Sequence, residues 1–357
     1  MQEQPYVVIM AGGIGSRFWP YSRNERPKQF LDVLSTGRTL LQMTYDRFLK
    51  ISTPEMFFVV TNKNYEHIVK EQLPDVPENQ ILTEPLRRNT ATCVAYASYK
   101  IASINRNANV IVTPADHLIL NEENFLDKIT KAQKAAEVNN NLVTIGIKPN
   151  RPETGYGYIQ YHSNEKSVAK KVKTFTEKPN AKLAKAFIES GDFVWNSGMF
   201  VWKVSSIISA FEKYMPEVAE VFEEGTQHYF SPTEGDFINR AYTLVKNISI
   251  DFGIMEKSDE VFVVLGDFGW SDLGSWMSLH ELKDKDDAGN VIEANALMYD
   301  SEGCFVKAPK DKLVIVQGLK NYLINESDNV LLICELDAEN KFREFVSDAK
   351  QKGDEYV

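Results

Sequence analysis

Hydrophobic positions in the first half of the chain fall into short apolar runs separated by amphipathic stretches. Tyr6-Val7-Val8-Ile9-Met10, Val110-Ile111-Val112-Thr113-Pro114 and Leu142-Val143-Thr144-Ile145-Gly146-Ile147 are apolar at nearly every position, as strands buried on both faces require. Glu55 to Thr61 reads as a further strand. Tyr65 to Gln72, Thr90 to Ile104 and Phe125 to Val138 instead repeat apolar residues at helical spacing, the last with a lysine-rich outer face. Strands alternating with helices predict an α/β architecture, an open sheet with helices on its faces. Ligands of such sheets sit beyond the carboxyl ends of the strands, and the polar clusters of this chain fall there.

After a charged, turn-rich stretch, Asp284 to Asn290, the pattern changes. Short apolar runs at Val291-Ile292, Cys304 to Val306, Leu313 to Val316, Tyr322 to Ile324 and Val330 to Ile333 predict a small β domain, a coil or a sandwich. Asp337 to Lys352 reads as a closing amphipathic helix with Phe342, Phe345 and Val346 on one side. The expected division is 1–285 and 286–357, in keeping with the two domains that 357 residues suggest.

Composition narrows the function. Hydrophobic content of 43% and charged content of 25% are ordinary globular values. A net charge of -10 argues against a broad nucleic-acid surface, which needs many phosphates neutralised at once. An anionic ligand must then meet a local basic patch or a metal ion, and Arg17, Arg23, Arg26 and Lys28 supply such a patch. Cys93, Cys304 and Cys334 form no Cys-x-x-Cys pair, so free thiols are expected rather than disulfides or zinc. Met1 to Pro5 show no leader, and no run approaches the ~18 apolar residues of a membrane span, so the expected location is the cytoplasm.

The chemistry begins at Ala11-Gly12-Gly13-Ile14-Gly15-Ser16-Arg17, directly after the first strand. A glycine-rich turn exposes backbone N–H groups and lets them approach a phosphate with no Cβ in the way. A tight turn is the bland alternative for the glycines alone. Phe18 stands where the dinucleotide fingerprint needs its third glycine, and no Gly-Lys-Ser/Thr follows, which argues against a dinucleotide-dependent oxidoreductase and a P-loop. Pro114-Ala115-Asp116-His117 follows another strand. Asp116 there is either a hard oxygen ligand for Mg²⁺ or the cap of the next helix, and His117 a structural residue of the loop.

The whole run G-G-x-G-x-R-x-x-P at Gly12 to Pro20, followed by Pro27-Lys28-Gln29-Phe30, resembles the signature loop of the sugar-1-phosphate nucleotidyltransferases. With Ser22-Arg23, its spelling is similar to that of the mannose-1-phosphate guanylyltransferases among them. Matching motifs continue in chain order to Trp276. The resemblance implies a Rossmann-like open mixed sheet flanked by helices, with a small C-terminal β domain that is left-handed β-helix-like. It implies that Ala11, Gly12, Gly13, Gly15 and Pro114 surround the nucleotide, that Arg17 holds the leaving pyrophosphate, and that Lys28 meets the α-phosphate. Gly269 to Trp276 resembles the W-x-D-x-G-S-W element, so Asp116 and Asp272 would share one Mg²⁺, with Asp267 the nearest competitor.

Thr83 to Thr90 resembles the family's E-P-x-x-R-N-T element, which lies against base and ribose. Guanine offers N1–H and the 2-amino group as adjacent donors, which makes Glu84 the candidate acceptor; Asn89 or Thr90 would serve the ribose side or cap the following helix. For the sugar, Gly155 in Glu153 to Ile159 offers a closely approached backbone edge or, equally, a hairpin corner. In Phe175 to Pro179 the resemblance gives Glu177 to the sugar hydroxyls and Lys178 to the sugar phosphate, with a surface ion pair as the alternative. Asn196 in Trp195-Asn196-Ser197-Gly198-Met199-Phe200 can both donate and accept, as neighbouring hydroxyls require.

The implied reaction is transfer of GMP from GTP to mannose 1-phosphate with Mg²⁺ as cofactor. Some members of the family continue into a cupin-like isomerase domain, an activity not expected of this chain. A homodimer is expected from the apolar C-terminal part, with neither nucleic acid nor membrane as partner. Two competing readings are another nucleotide and hexose phosphate pair, and a non-catalytic regulatory subunit. Loss of Arg17, Lys28 or an aspartate would mark the latter, and all are present.

Overall fold

The computed structural model describes residues 4–164 and 166–357; Met1 to Glu3, part of the segment in which the sequence shows no leader, lie outside the described residues. The chain divides into two compact units. One comprises Met1–Gly12, Gln42–Ala115 and Ile119–Trp270; the other comprises Gly13–Leu41, Asp116–Leu118 and Ser271–Val357.

Up to Trp270 and Ser271 the strands are β1 (Tyr6–Met10), β2 (Phe57–Asn62), β3 (Ile81–Glu84), β4 (Asn109–Pro114), β5 (Leu118–Ile119), β6 (Leu142–Ile147), β7 (Tyr158–Tyr161), β8 (Ala169–Thr176), β9 (Phe193–Lys203), β10 (Val261–Gly266) and β11 (Trp270–Ser271). All but β5 and β11 form one sheet of the first unit, ordered β3-β2-β1-β4-β9-β6-β10-β8-β7, with β7 also paired to β9. The sheet is mixed. β3, β2, β1 and β4 run parallel, whereas β9 is antiparallel to both β4 and β6. Val7, Val8 and Ile9 are fully buried, which is why β1 reads as an unbroken apolar run.

Helices cover the sheet. Asn89–Ala102, Val204–Tyr214, Pro216–Glu223 and Glu234–Leu244 pack a core that includes Phe58, Trp202, Phe211, Phe222 and Tyr242. The helix Glu122–Ala136 is capped by Asn121, whose side chain accepts the N–H of Asn124 at 3.0 Å, a contact worth about 1 kcal/mol. That cap removes the alternative role considered for Asp116. β1 and β4 end together, Met10 opposite Pro114, with Ala115 N–H donating to the Met10 carbonyl at 3.0 Å. Ala11-Gly12 and Pro114 therefore leave the sheet side by side at the carboxyl ends of adjacent parallel strands, where open α/β sheets bind ligands.

The second unit contains β12 (Val291–Glu293), β13 (Asn295–Tyr299), β14 (Phe305–Lys307), β15 (Leu313–Gln317), β16 (Tyr322–Ser327) and β17 (Val330–Glu335). β12, β14 and β16 stack in parallel, β13 and β15 do likewise, and β17 closes antiparallel on β16. The result is a β-helix-like coil around Cys304, Val306, Val316 and Ile324. Strand β13 was not expected from the sequence, because Asn-Ala-Leu-Met-Tyr carries no β-branched residue. The closing helix begins only at Phe342, after a 3₁₀ turn at Glu339–Lys341. The N-terminal loop of this unit holds two more such turns, Ser16–Phe18 and Lys28–Phe30.

All three cysteines are free, Cys93 and Cys304 buried and Cys334 partly exposed. Among the described residues no helix is long and apolar enough to cross a membrane.

Candidate active site

In the second unit, the side chain of Lys28 is drawn into a pocket of oxygens. Its Nζ lies 2.7 Å from Asp116 Oδ2 and donates to the backbone carbonyls of Asp272 at 2.9 Å and Leu273 at 3.1 Å. Gly15 makes this possible. It adopts φ +61°, and a Cβ there would stand 2.6 Å from the Lys28 Cβ, so only glycine lets the loop close over the lysine stem. Burial is the largest influence on the Asp116 carboxyl and pushes its pKa up. The charges of Lys28 and His117, with hydrogen bonds from Lys28 and its own backbone, outweigh burial and hold it below the usual carboxylate range.

Arg17 and Asp272 meet over another glycine. A Cβ on Gly274 would lie 2.9 Å from Asp272 Oδ2 and 3.2 Å from Arg17 Nη1. The Gly274 N–H donates to Asp272 Oδ1 at 2.9 Å, and the following helix is capped by the Ser275–Ser278 box rather than by Asp272. The guanidinium of Arg17 is exposed, with no side-chain hydrogen bond or ion pair among the described residues. Arg17, Lys28, Asp116 and Asp272, taken from four motifs, are thus neighbours. Gly274, part of the W-x-D-x-G-S-W element but given no role of its own by the motif, is a further member.

Two members of the expected basic patch or metal set are employed elsewhere. Arg23 is bound to backbone carbonyls, Asn329 and Asp328. Asp267 accepts from Asn124 at 2.9 Å and pairs with Lys128 at 3.1 Å on the surface of the first unit, removing it as the competing ligand.

Two clusters of the first unit correspond to the expected base and sugar contacts. At the end of β3, Glu84 Oε1 accepts the hydroxyl of Tyr242 at 2.9 Å. Burial pushes the Glu84 pKa up to about 7, with the Tyr242 hydrogen bond opposing. Asn89, at φ +65°, turns its side-chain oxygen onto the N–H of Thr90, while the Thr90 hydroxyl accepts from Ile250 N–H. The helix that starts here therefore has no side-chain cap.

In the sugar cluster, Asn196 on β9 accepts at its carbonyl oxygen from Gly198 N–H at 3.1 Å and from the Thr144 hydroxyl at 3.4 Å. Its amide donates to Asp251 Oδ1 at 2.7 Å, and its backbone N–H donates to the Gly157 carbonyl. Asp251, which motif reading did not single out, opens the π turn Asp251–Met255. Burial and then the nearby Glu177 carboxylate raise its pKa to about 6 against the Asn196 hydrogen bond. Glu177 pairs with the largely exposed Lys178 at 3.0 Å, so the surface ion pair is present. Gly155 lies in the loop before β7, its N–H tied to Glu153 Oε1.

The donor set was tested against a divalent cation. Among the described residues no three His, Cys, Asp or Glu side chains gather as a closed metal cage. Asp116 and Asp272 are hard oxygen donors beside a phosphate-type loop, the one or two carboxylates Mg²⁺ takes when phosphates complete its shell. The residues fit.

A glycine loop at the end of a parallel strand, carrying Arg17 and Lys28 toward two aspartates, defines a site for phosphoryl chemistry on a nucleotide. Residues 6–289 match the family described as nucleotidyl transferase, and the chain belongs to that family. Among its relatives, a mannose-1-phosphate guanylyltransferase of Salmonella montevideo is 36% identical over 354 residues, covering 96% of this chain and 73% of that one. The alginate biosynthesis protein AlgA of Pseudomonas aeruginosa is 35% identical over 356 residues, covering 97% and 72%. A crystal structure described as mannose-1-phosphate geranyltransferase from Thermus thermophilus superposes with a TM-score of 0.86 at 31% identity, covering 98% of this chain and all of that one.

Proposed function

We propose that this protein transfers GMP from GTP to α-D-mannose 1-phosphate, releasing pyrophosphate and giving GDP-mannose. The observation that carries the reaction class is the Lys28 ammonium gathered with Asp116 and the Asp272 segment beside the exposed Arg17. The choice of substrates rests on the mannose-1-phosphate guanylyltransferase of Salmonella montevideo.

A phosphate oxygen of the sugar phosphate forms a bond to the α-phosphorus in line as the bridge to the β-phosphate breaks. That nucleophile is already anionic, so positioning and charge stabilisation suffice without a general base. Backbone N–H groups of Gly12, Gly13 and Gly15 bind phosphate oxygens, Lys28 meets the charge building on the α-phosphate, and Arg17 holds the departing pyrophosphate. Asp116 and Asp272 would hold Mg²⁺, which when bound neutralises phosphate charge. Glu84 accepts from the guanine edge, with Ala11, Asn89 and Pro114 along the nucleoside. Gly155, Glu177, Lys178 and Asn196 take the sugar phosphate.

The cytoplasm is the compartment proposed for this activity. A second copy of the chain is the proposed partner, seated on the outer face of β13 and β15, where Leu297 and Ile315 pair in register and stay 44% and 62% exposed. Sedimentation of the parent and of Ile315→Lys tests this; a monomeric parent removes it.

Pyrophosphate release is the deciding assay, crossing GTP, ATP, UTP and dTTP with mannose 1-phosphate and glucose 1-phosphate. Release confined to GTP with mannose 1-phosphate is expected. Release with another pair keeps the chemistry and overturns the substrate assignment, and no release from folded, nucleotide-binding protein favours a regulatory subunit.

A further inference from the structure

The signature loop carries its two cations at either end of an irregular stretch, Arg17 in the turn Ser16–Phe18 and Lys28 in the turn Lys28–Phe30. Its internal backbone fastenings are local: the N–H groups of Phe18, Trp19 and Ser22 donate to the carbonyls of Gly15, Ser16 and Phe18, and Arg23 and Arg26 bond to each other. Ser22 reaches back to the Ile14 carbonyl at 3.0 Å, and Gln29 reaches the Gly13 carbonyl at 3.2 Å. Between the cations, the loop is tied to the last part of the chain. Arg23 Nη1 donates to Asn329 Oδ1 at 2.8 Å and to the Glu355 carbonyl at 2.9 Å, while Nη2 donates to the Ser327 carbonyl at 2.8 Å. Nε donates to Pro20 O at 3.2 Å within the loop and lies 3.6 Å from Asp328 Oδ2. Asn329 Nδ2 joins the same Glu355 carbonyl at 3.1 Å, and the Trp19 indole donates to the Tyr356 carbonyl at 2.8 Å.

A guanidinium engaged on all three nitrogens, with four of its five N–H groups given to protein oxygens, is committed mainly to holding the loop. Its four acceptors and the nearby Asp328 carboxylate come from the loop itself, the β16–β17 turn and the turn at Asp354–Tyr356, all within the second unit. We propose that Arg23 is a positioning residue for GMP transfer. It pins the middle of the phosphate loop to the end of the β coil and so fixes where Arg17 and Lys28 stand. The inference deepens the reaction proposed above and rests on it for its kinetic consequence. The planar fork is what the site uses: a lysine ammonium, a point donor, cannot span acceptors set on two turns. Displacing catalytic cations by about 1 Å costs on the order of 100-fold in rate.

The test compares the parent, Arg23→Ala, Arg23→Lys and Asn329→Ala by hydrogen exchange without nucleotide and by steady-state kinetics. In Arg23→Ala, amides 14–22 should exchange faster while β1 and β4 keep the parent's rates. Its kcat should fall about tenfold to a hundredfold, with KM for mannose 1-phosphate unchanged. Arg23→Lys should recover little, and Asn329→Ala should shift the same quantities less, the double variant being no worse than Arg23→Ala alone. Unchanged exchange at 14–22, or a kcat within about twofold of the parent, overturns the proposal. Exchange rising throughout the chain together with both KM values would mark a merely structural arginine and also overturn it. Should Arg23→Ala fail to fold, Asn329→Ala decides by the same readouts. A parent with no transfer activity would overturn the proposed reaction, while the exchange comparison would still decide whether Arg23 holds the loop.

Discussion

The Lys28 ammonium lies 2.7 Å from Asp116 Oδ2, and the same nitrogen takes the carbonyl oxygens of Asp272 and Leu273. One cation thus joins three segments distant in sequence before any substrate arrives. Removing it should therefore show in rate and stability together. Lys28→Ala is expected to lower kcat about 10²- to 10³-fold, the usual loss of a preorganised charge. It should also cost about 1–3 kcal/mol, between an exposed and a fully buried ion pair, since the side chains are 7% and 30% exposed. Pyrophosphate release and urea unfolding measure the two; turnover within a few-fold of the parent would dismiss the catalytic role.

Asp116→Asn and Asp272→Asn should each raise the Mg²⁺ concentration needed for half-maximal rate by tenfold or more, and a chelator should stop the parent. Titrating Mg²⁺ at saturating substrates gives the answer. An unchanged requirement in either variant would remove that aspartate from the metal site.

The pKa of Glu84, pushed up to about 7 by burial, sets a pH dependence for base selection. The carboxylate accepts guanine's donors only when ionised, so KM for GTP should rise as pH falls through about 7. Glu84→Gln, which cannot titrate, should lack that step. Titration of the phosphates of GTP is common to both enzymes and cancels in the ratio of their KM values. A ratio flat from pH 5.5 to 8.5 would refute Glu84 as the guanine acceptor.

Asp251 couples stability to function with the opposite sign from a paired surface carboxylate. Its native pKa, raised to about 6 from 3.8 chiefly by burial, exceeds that of the unfolded chain. Between about pH 4 and 6 the native state holds more protons, so its contribution to stability falls as pH rises and the full cost remains above 6. Asp251→Asn should therefore gain stability over the parent at pH 7.5 and lose that advantage near pH 4. The same change should raise KM for mannose 1-phosphate several-fold, because a weaker, neutral amide oxygen replaces the carboxylate that accepts from the Asn196 amide and orients it. Urea midpoints at the two pH values and substrate kinetics test both halves, and a variant less stable at pH 7.5 would contradict the first.

In the parallel half of the sheet, β1, β2 and β4 were legible because they are buried on both faces, whereas the four-residue, half-buried β3 was not; the motifs fall at the ends of β1 and β4, which stop together. What escaped notice depends on distance. Nothing local distinguishes Arg23 from its basic neighbours, since its partners lie some 300 positions along the chain at Ser327, Asn329 and Glu355. Asp251 sits in an apolar Ile-Ser-Ile-Asp-Phe-Gly segment and acquires a role only through Asn196. Gly274 has meaning only once Arg17 and Asp272 stand beside it.

The composition of the second unit, residues 13–41 with 271–357, bears on synthesis. A ribosome adds Arg17 and Lys28 some 245 residues before the carbonyls of Asp272 and Leu273 that seat Lys28, and some 300 before the turns that hold Arg23. Throughout elongation the loop is chemically complete and spatially unplaced. The nascent chain can therefore seat Lys28 only after Asp272 and Leu273 have been added, and Arg23 only after Ser327, Asn329 and Glu355.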